Sequence, residues 1–183
     1  MKRAFLLFTL AILCSCSSVE KQTEDAVYFA KDARGSLIRS DVDYAERQAL
    51  LEVHYGKRVE TLLTQSVSER GTLKIALLSG AGLPLLTIQS KEGFLEVTKH
   101  VPARLPFSPA QIVNDCLLCT ASPVAIEKAL PAGWKAKNAG NSLELIGNDE
   151  TLITRVQKEG ENCTLENFSF GYRIRTITLK GEQ

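Results

Sequence analysis

The chain contains few of the residues from which most metal and catalytic centres are built. Its 183 residues include only two His and five Cys, which is a small supply for a metal cage or a His-centred catalytic cluster. His54 lies within a strand-like segment and His100 lies just after one, and neither has a carboxylate beside it at metal-ligand spacing. We therefore expect no enzymatic activity, no metal and no cofactor.

The chain also carries little net charge. Its 22 Lys and Arg against 21 Asp and Glu give a formal charge of +1, so there is no electrostatic footprint for nucleic acid. The 12 Gly and 6 Pro are too few for a collagen-like or disordered chain, and the hydrophobic share of 44% is enough to bury a core. This length and composition predict one globular domain that binds no nucleic acid.

The first residues have the layout of a secretory signal. Lys2 and Arg3 precede an apolar segment at 4–13, which is shorter than the roughly 20 apolar residues that span a bilayer. We predict that residues 1–15 form a signal peptide.

The end of this signal resembles the bacterial lipobox, in which a small residue precedes the Cys that is lipidated. Ser15 before Cys16 fits that pattern, whereas Leu13 before Cys14 does not. We predict a mature chain that begins at lipidated Cys16; the alternative is an ordinary signal peptide with two incidental cysteines. Ser17 follows, rather than the Asp that retains enterobacterial lipoproteins in the inner membrane. The resemblance therefore implies a lipid anchor in the outer membrane, with the domain facing the periplasm.

Residues 16–41 show no sustained hydrophobic period and include a polar run at 20–25. We predict that 16–41 is the lipidated N-terminus and a tether, which lets the domain stand off the lipid surface, with Tyr28-Phe29 starting to dock on the domain. The folded domain is then expected at 42–183.

Most of this domain shows the alternation with a period of two that is typical of half-buried strands. Short turns separate the first five strand-like segments, and parallel neighbours would need crossovers of a dozen residues or more, so these segments predict an antiparallel meander. A second group of strand-like segments follows the helical region. The predicted strands are 48–55, 59–67, 73–77, 86–88, 94–97, 134–137, 143–146, 152–156, 164–168 and 172–179.

Two helices are predicted between the two groups of strands. Ser108-Pro109 and Ser122-Pro123 each combine an N-cap residue with Pro at the first helical position. Two short helices cover only part of one sheet face, so we expect the sheet to curl on itself and protect the rest. The predicted fold is mainly β (α+β), with a curled antiparallel sheet that forms a half-closed barrel under a two-helix lid.

Several short segments resemble an uncharacterised family of proteobacterial outer-membrane lipoproteins of unknown function, whose members often sit among aryl polyene biosynthesis genes. These segments are 77–88, 93–97, 130–134, 165–167 and 171–175. More distantly, the order of elements over 44–180 is similar to that of the lipoprotein receptor LolB and its periplasmic partner LolA. This resemblance implies a LolA/LolB-like incomplete barrel whose apolar concavity accepts acyl chains.

The resemblance also implies which residues meet lipid. In LolB-type receptors, the hairpin loop between the third and fourth strands exposes an apolar side chain to the membrane. Here Ala81 falls at the protruding position, and Leu83 is the large apolar residue nearby. The strand and helix residues that we expect to line the concavity are Leu63, Ile75, Leu77, Leu86, Ile88, Val113 and Leu117.

The sequence and the resemblance together lead to one expected function and one alternative. We expect a lipoprotein that binds a hydrophobic ligand, such as an acyl chain, a lipoprotein or a polyene lipid, for transfer or insertion at the outer membrane. Its partners would be that membrane and the hydrophobic ligand or lipoprotein. The alternative is a structural or adaptor lipoprotein, whose interior is filled by its own side chains and whose surface docks a protein partner.

The pair Cys116 and Cys119 has the spacing of a redox motif. It does not follow a strand in a βαβ unit, which is the usual context of that motif. Three interpretations remain open: two buried apolar residues, a disulfide between Cys116 and Cys119, or a redox centre. Cys163 makes the count odd, so a longer-range pairing also remains open.

Overall fold

The computed structural model of the chain describes residues 18–22, 26–101 and 107–179. The predicted signal peptide and the lipidation site Cys16 lie outside the described residues.

The described chain begins with three short strands, β1 (Ser18–Gln22), β2 (Ala26–Ala30) and β3 (Ala33–Ser36). The first meander follows, with β4 (Tyr44–Tyr55), β5 (Arg58–Glu69), β6 (Thr72–Ser79), β7 (Pro84–Lys91) and β8 (Phe94–Lys99). Two helices come next, α1 (Pro109–Thr120) and α2 (Pro123–Ala129). The second meander contains β9 (Lys135–Ala139), β10 (Ser142–Ile146), β11 (Leu152–Glu159), β12 (Asn162–Asn167) and β13 (Tyr172–Leu179).

Ten strands, β4 to β13, form one antiparallel sheet, and β1 adds an eleventh strand at its edge. The strand order is β1-β8-β7-β6-β5-β4-β13-β12-β11-β10-β9, so the two meanders join where β13 pairs with β4. This confirms the mainly β fold with two helices between two groups of strands.

The predicted half-closed barrel is wrong, because the sheet is neither closed nor strongly curled. Its edge strands β1 and β9 stand at opposite ends of the strand order. Curling is unnecessary because one face is built to meet water: ion pairs join cross-strand partners on β13 and β4, and on β11 and β10. An antiparallel sheet is stable with one face packed and the other solvated.

The helix starts are confirmed, and each has the cap that the sequence predicts. The Ser108 hydroxyl accepts a hydrogen bond from the backbone N–H of Gln111, and the Ser122 hydroxyl accepts one from Ala125. These bonds satisfy backbone donors that have no partner inside the helix. Asp41 accepts hydrogen bonds from both the backbone N–H and the hydroxyl of Ser122, so the residues before β4 help to fix the start of α2.

The predicted tether over 16–41 is wrong for most of its length. Ser18–Gln22 pairs with β8, and the hairpin of β2 and β3 packs into the core. Phe29 is fully buried, and its carbonyl oxygen accepts a hydrogen bond from the Asn167 side chain at the end of β12. The stretch lacks a sustained period because its strands are only four or five residues long and their register shifts between Tyr28 and Ala30.

Within the described ranges, one hydrophobic cluster fills the space between the sheet, the helices and the N-terminal hairpin. It draws inward-facing side chains from both meanders, which explains why the two halves form one domain. Its fully buried large side chains are Phe29, Ile38, Leu73, Ile75, Leu77, Ile88, Leu95, Val97, Leu117, Ile126, Leu145 and Leu165.

Candidate functional site

A cavity of about 220 Å³ lies between α1 and the inner face of the sheet. Its wall is mostly apolar and comes from β4, β5, β6, β12 and β13 on one side and from α1 and the preceding Phe107 on the other. The apolar lining residues are Ala49, Leu51, Val53, Leu62, Ile75, Leu77, Phe107, Ile112, Leu165 and Ile174.

The period of two places these strand residues on the same side of the sheet. Leu51 and Val53 of β4 face the cavity, and their register partners on β13 are Thr176 and Ile174. Leu62 of β5 is opposite Leu51 in the neighbouring pair. The cavity floor is therefore a continuous patch across three adjacent strands.

One stripe of α1 forms the opposite wall. Ile112, Cys116 and Cys119 recur at spacings of four and three residues, which puts them on one side of a helix. Cys119 forms a disulfide with Cys163 of β12, with 6.1 Å between their Cα atoms. Cys163 also lines the cavity, so the disulfide ties the helix to the sheet at the cavity wall.

A buried polar cluster sits at the helical side of the cavity. The Tyr172 hydroxyl donates to the Asp115 carboxylate, 2.8 Å from Oδ2, and Gln111 Nε2 donates to Asp115 Oδ1 at 2.8 Å. Burial raises the pKa of Asp115 to about 7, although both hydrogen bonds favour the charged form. This carboxyl group therefore changes charge near neutral pH.

Cys116 is the free cysteine among the described residues. Burial raises the pKa of its thiol to about 11, against the opposing effect of a hydrogen bond with Tyr44. A thiol with a raised pKa is a poor nucleophile at neutral pH. The arrangement thus does not activate Cys116 for redox catalysis.

The cavity reaches the surface at a polar rim, which we define as Arg47, Lys158, Glu161, Asn162 and Thr178. The Thr178 hydroxyl donates to the Glu161 carbonyl at 2.8 Å, and the Thr178 backbone N–H donates to Asn162 Oδ1 at 3.0 Å. These bonds hold the β11–β12 turn against the end of β13. Exposed Glu60 lines the cavity separately, beside Val53 on the neighbouring strand.

Two of the seven predicted lining residues face the cavity, namely Ile75 and Leu77. Four others are buried in the core and do not line it. On α1, the cavity-facing stripe is offset from the predicted one, because the predicted positions point into the core between the sheet, α2 and the N-terminal hairpin. The four core residues are Leu86, Ile88, Val113 and Leu117.

Leu63 lies on the outer face of the sheet, because its neighbours Leu62 and Thr64 face the cavity. Two consecutive Leu residues fit either phase of the alternation, so the pattern alone does not tell which one points inward. Leu63 instead belongs to a row of half-buried outer-face residues that are register partners on four strands. This row consists of Ile177, Leu50, Leu63 and Leu78.

Leu83 is 64% exposed in the loop between β6 and β7.

The interpretation of Cys116 and Cys119 as a disulfide is wrong, because Cys119 pairs with Cys163 and Cys116 is free. The helix directs Cys119 toward β12 while Cys116 faces Tyr44.

Sequence reasoning missed the polar cluster and the rim. Asp115 stands among apolar residues of a helix, and a charge inside an apolar stripe was the available signal for a buried carboxyl group.

In the described part of the chain, no three His, Cys, Asp or Glu side chains come together as metal ligands.

None of the helices in the described ranges is long and apolar enough to cross a membrane. No curated protein matches the chain. A family model with the description "Protein of unknown function (DUF3261)" matches residues 46–180, which include nearly all of β4, the strands β5 to β13, both helices and the cavity. The chain therefore belongs to the DUF3261 family.

Proposed function

We propose that the protein binds one slender apolar chain, such as an acyl chain, in the cavity under α1. The observation that carries this proposal is the apolar wall shared by α1 and three adjacent strands, β4, β5 and β13. Exposed residues at the polar rim leave the cavity a path to solvent.

The size of the cavity favours a chain over a bulky ligand. Drug-sized ligands occupy pockets of roughly 300–1,000 Å³, and this cavity is about 220 Å³. Each methylene group that leaves water contributes about 0.8 kcal/mol. Several buried methylenes therefore provide useful affinity without any catalytic group.

The proposed setting is the periplasmic side of the outer membrane, with lipidated Cys16 as the anchor. In this setting the protein receives or delivers its ligand as LolB-type receptors do. Leu83 supports the proposal, because it is a large apolar side chain exposed on the loop between β6 and β7. Such a side chain can enter the interface of a bilayer.

Photolabelling tests the binding proposal. The full-length protein is reconstituted into phosphatidylethanolamine and phosphatidylglycerol vesicles with a diazirine-bearing fatty alcohol, irradiated and digested, and the labelled residues are located by mass spectrometry. We expect labels on the cavity-facing stripe of α1 and on β4 and β13. Ala49→Phe fills the cavity from β4 and should reduce these labels severalfold.

The matched control is Ala76→Phe. Ala76 lies on β6 at a position that alternates with the cavity-lining Ile75 and Leu77, so its side chain is on the outer face. Equal labelling of the two variants, or labels confined to the outer face, would contradict the proposal. An unlabelled cavity together with a stoichiometric protein partner would support the adaptor alternative.

A further inference from the structure

Two cationic side chains stand at the polar rim of an otherwise apolar cavity. Arg47 of β4 and Lys158 of β11 both line it. The Arg47 guanidinium lies over the Tyr44 ring, with its carbon atom 4.5 Å from the ring centroid. This cation–π contact holds the guanidinium beside the mouth instead of leaving it free in solvent.

Neither cation has a carboxylate partner among the described residues. By contrast, Arg155, Arg173 and Arg175 on the outer face each pair with a glutamate on the adjacent strand. Partial burial lowers the pKa of Lys158, because desolvation disfavours the charged ammonium group. An anion bound at the rim would compensate the partly desolvated ammonium group.

The two cations belong to one continuous stretch of the wall. Thr178 is hydrogen-bonded to the β11–β12 turn and is the register partner of Ala49, which lies two residues from Arg47 on the same face. Glu161 is the carboxylate of the rim, which leaves the rim with one net positive charge. The other two carboxyl groups of the wall lie elsewhere: Glu60 is beside Val53, and Asp115 is bound by Tyr172 and Gln111.

We propose that the ligand is a single-chain amphiphile with an anionic headgroup, bound by Arg47 and Lys158 while its chain lies against Leu51, Leu62 and Ile174. This inference rests on the proposed function and specifies the class of ligand. It predicts discrimination by headgroup charge between ligands with the same chain.

The test compares two diazirine probes with the same chain, an alkyl phosphate and the uncharged fatty alcohol, with the full-length protein in vesicles. The half-saturating concentration for cavity labelling is measured against the amount of each probe in the lipid phase. We expect the phosphate to saturate at about tenfold lower concentration than the alcohol. The Arg47→Gln/Lys158→Gln double variant should raise the half-saturating concentration of the phosphate until it equals that of the alcohol.

Lys137→Gln is the control, because Lys137 is exposed on the edge strand β9 and does not line the cavity; it should retain the tenfold difference. Equal half-saturation of both probes in the unchanged protein would overturn the headgroup inference while the proposed function stands. The headgroup inference would also be overturned if the double variant raised the half-saturating concentrations of both probes by the same factor. Failure of both probes to label the cavity would overturn the proposed function and this inference together.

Discussion

At the scale of the residue, Asp115 is an acidic side chain in a buried position. A carboxyl group is rarely buried without a cationic partner, and the donors that Asp115 has among the described residues are the neutral Tyr172 and Gln111. Burial dominates, so its pKa rises to about 7 in the folded protein. In the unfolded chain, the pKa of the same group is about 3.9. Folding therefore favours the protonated form of Asp115.

This difference predicts how stability depends on pH. The contribution of Asp115 to the free energy of unfolding is complete below about pH 4. It is lost as the pH rises toward 7, because the unfolded state releases the proton at a lower pH than the folded state does. Asp115→Asn keeps an acceptor for Tyr172 and removes the titration. We expect the free energy of unfolding of the unchanged protein to fall relative to that of the variant by at most about 4 kcal/mol between pH 4 and pH 7.

Urea unfolding at a series of pH values measures this difference. Asp32→Asn, an exposed substitution in the β2–β3 turn, is the control and should run parallel to the unchanged protein. Parallel curves for Asp115→Asn as well would contradict the predicted titration.

At the scale of the element, the N-terminal hairpin shows why a short segment can belong to the core without a clear pattern. Val27 and Phe29 are buried on either side of exposed Tyr28, but the alternation ends after three residues. The hairpin approaches α2 closely at Gly35. A Cβ atom there would overlap the Ala129 carbonyl oxygen, and it would lie 2.7 Å from the Phe29 ring.

Gly35→Ala should therefore destabilise the protein. The extra methyl group forces the hairpin away from α2, and such overpacking costs about 1–3 kcal/mol. Urea unfolding measures the loss in the free energy of unfolding. Gly80→Ala is the milder comparison and should cost less, because its nearest atom, the Thr61 carbonyl oxygen, is 3.3 Å from the new Cβ and need move by only a few tenths of an ångström. An equal effect of both substitutions would show that the contact with α2 is not the cause.

The same elements show how far the sequence predicts the structure. Alternation and cap residues are local signals, and they located the strands of both meanders and the starts of α1 and α2. The phase of a strand is not local where apolar residues are adjacent, as at Leu62 and Leu63. The side of α1 that faces the cavity depends on where the sheet and α2 pack against it. For that reason Ile112, Cys116 and Cys119 line the cavity, whereas Val113 and Leu117 lie in the core.

At the scale of the whole molecule, the cavity lies where α1 faces strands of both meanders, and the strands that join these meanders, β4 and β13, are far apart in the chain. The hydrogen bonds between β4 and β13 join their strands into one sheet, and the disulfide joins α1 to β12 across a separation of 44 residues. Spatial proximity of this kind follows from the topology, so the partner of Cys119 was not readable from the spacing of the cysteines.

Removal of this disulfide should destabilise the protein and loosen the wall of the cavity. A closed loop of this length restricts the unfolded chain by an amount worth about 4 kcal/mol in the loop-entropy model, and measured effects are typically 2–4 kcal/mol. We expect Cys119→Ala/Cys163→Ala to lower the free energy of unfolding by about that amount. Labelling of α1 by the fatty alcohol should also decrease, because the helix is no longer held over the strands.

The reducing agent dithiothreitol separates the disulfide from the side effects of the substitutions. Reduction should lower the stability of the unchanged protein toward that of the double variant and should leave the double variant unaffected. Cys116→Ala retains the disulfide, so its stability should still fall on reduction. If reduction destabilises the unchanged protein without changing the labelling of α1, the disulfide stabilises the fold but is not required to keep the cavity formed. The helix is then held over the cavity by the packing of its core-facing side, at Val113 and Leu117, alone.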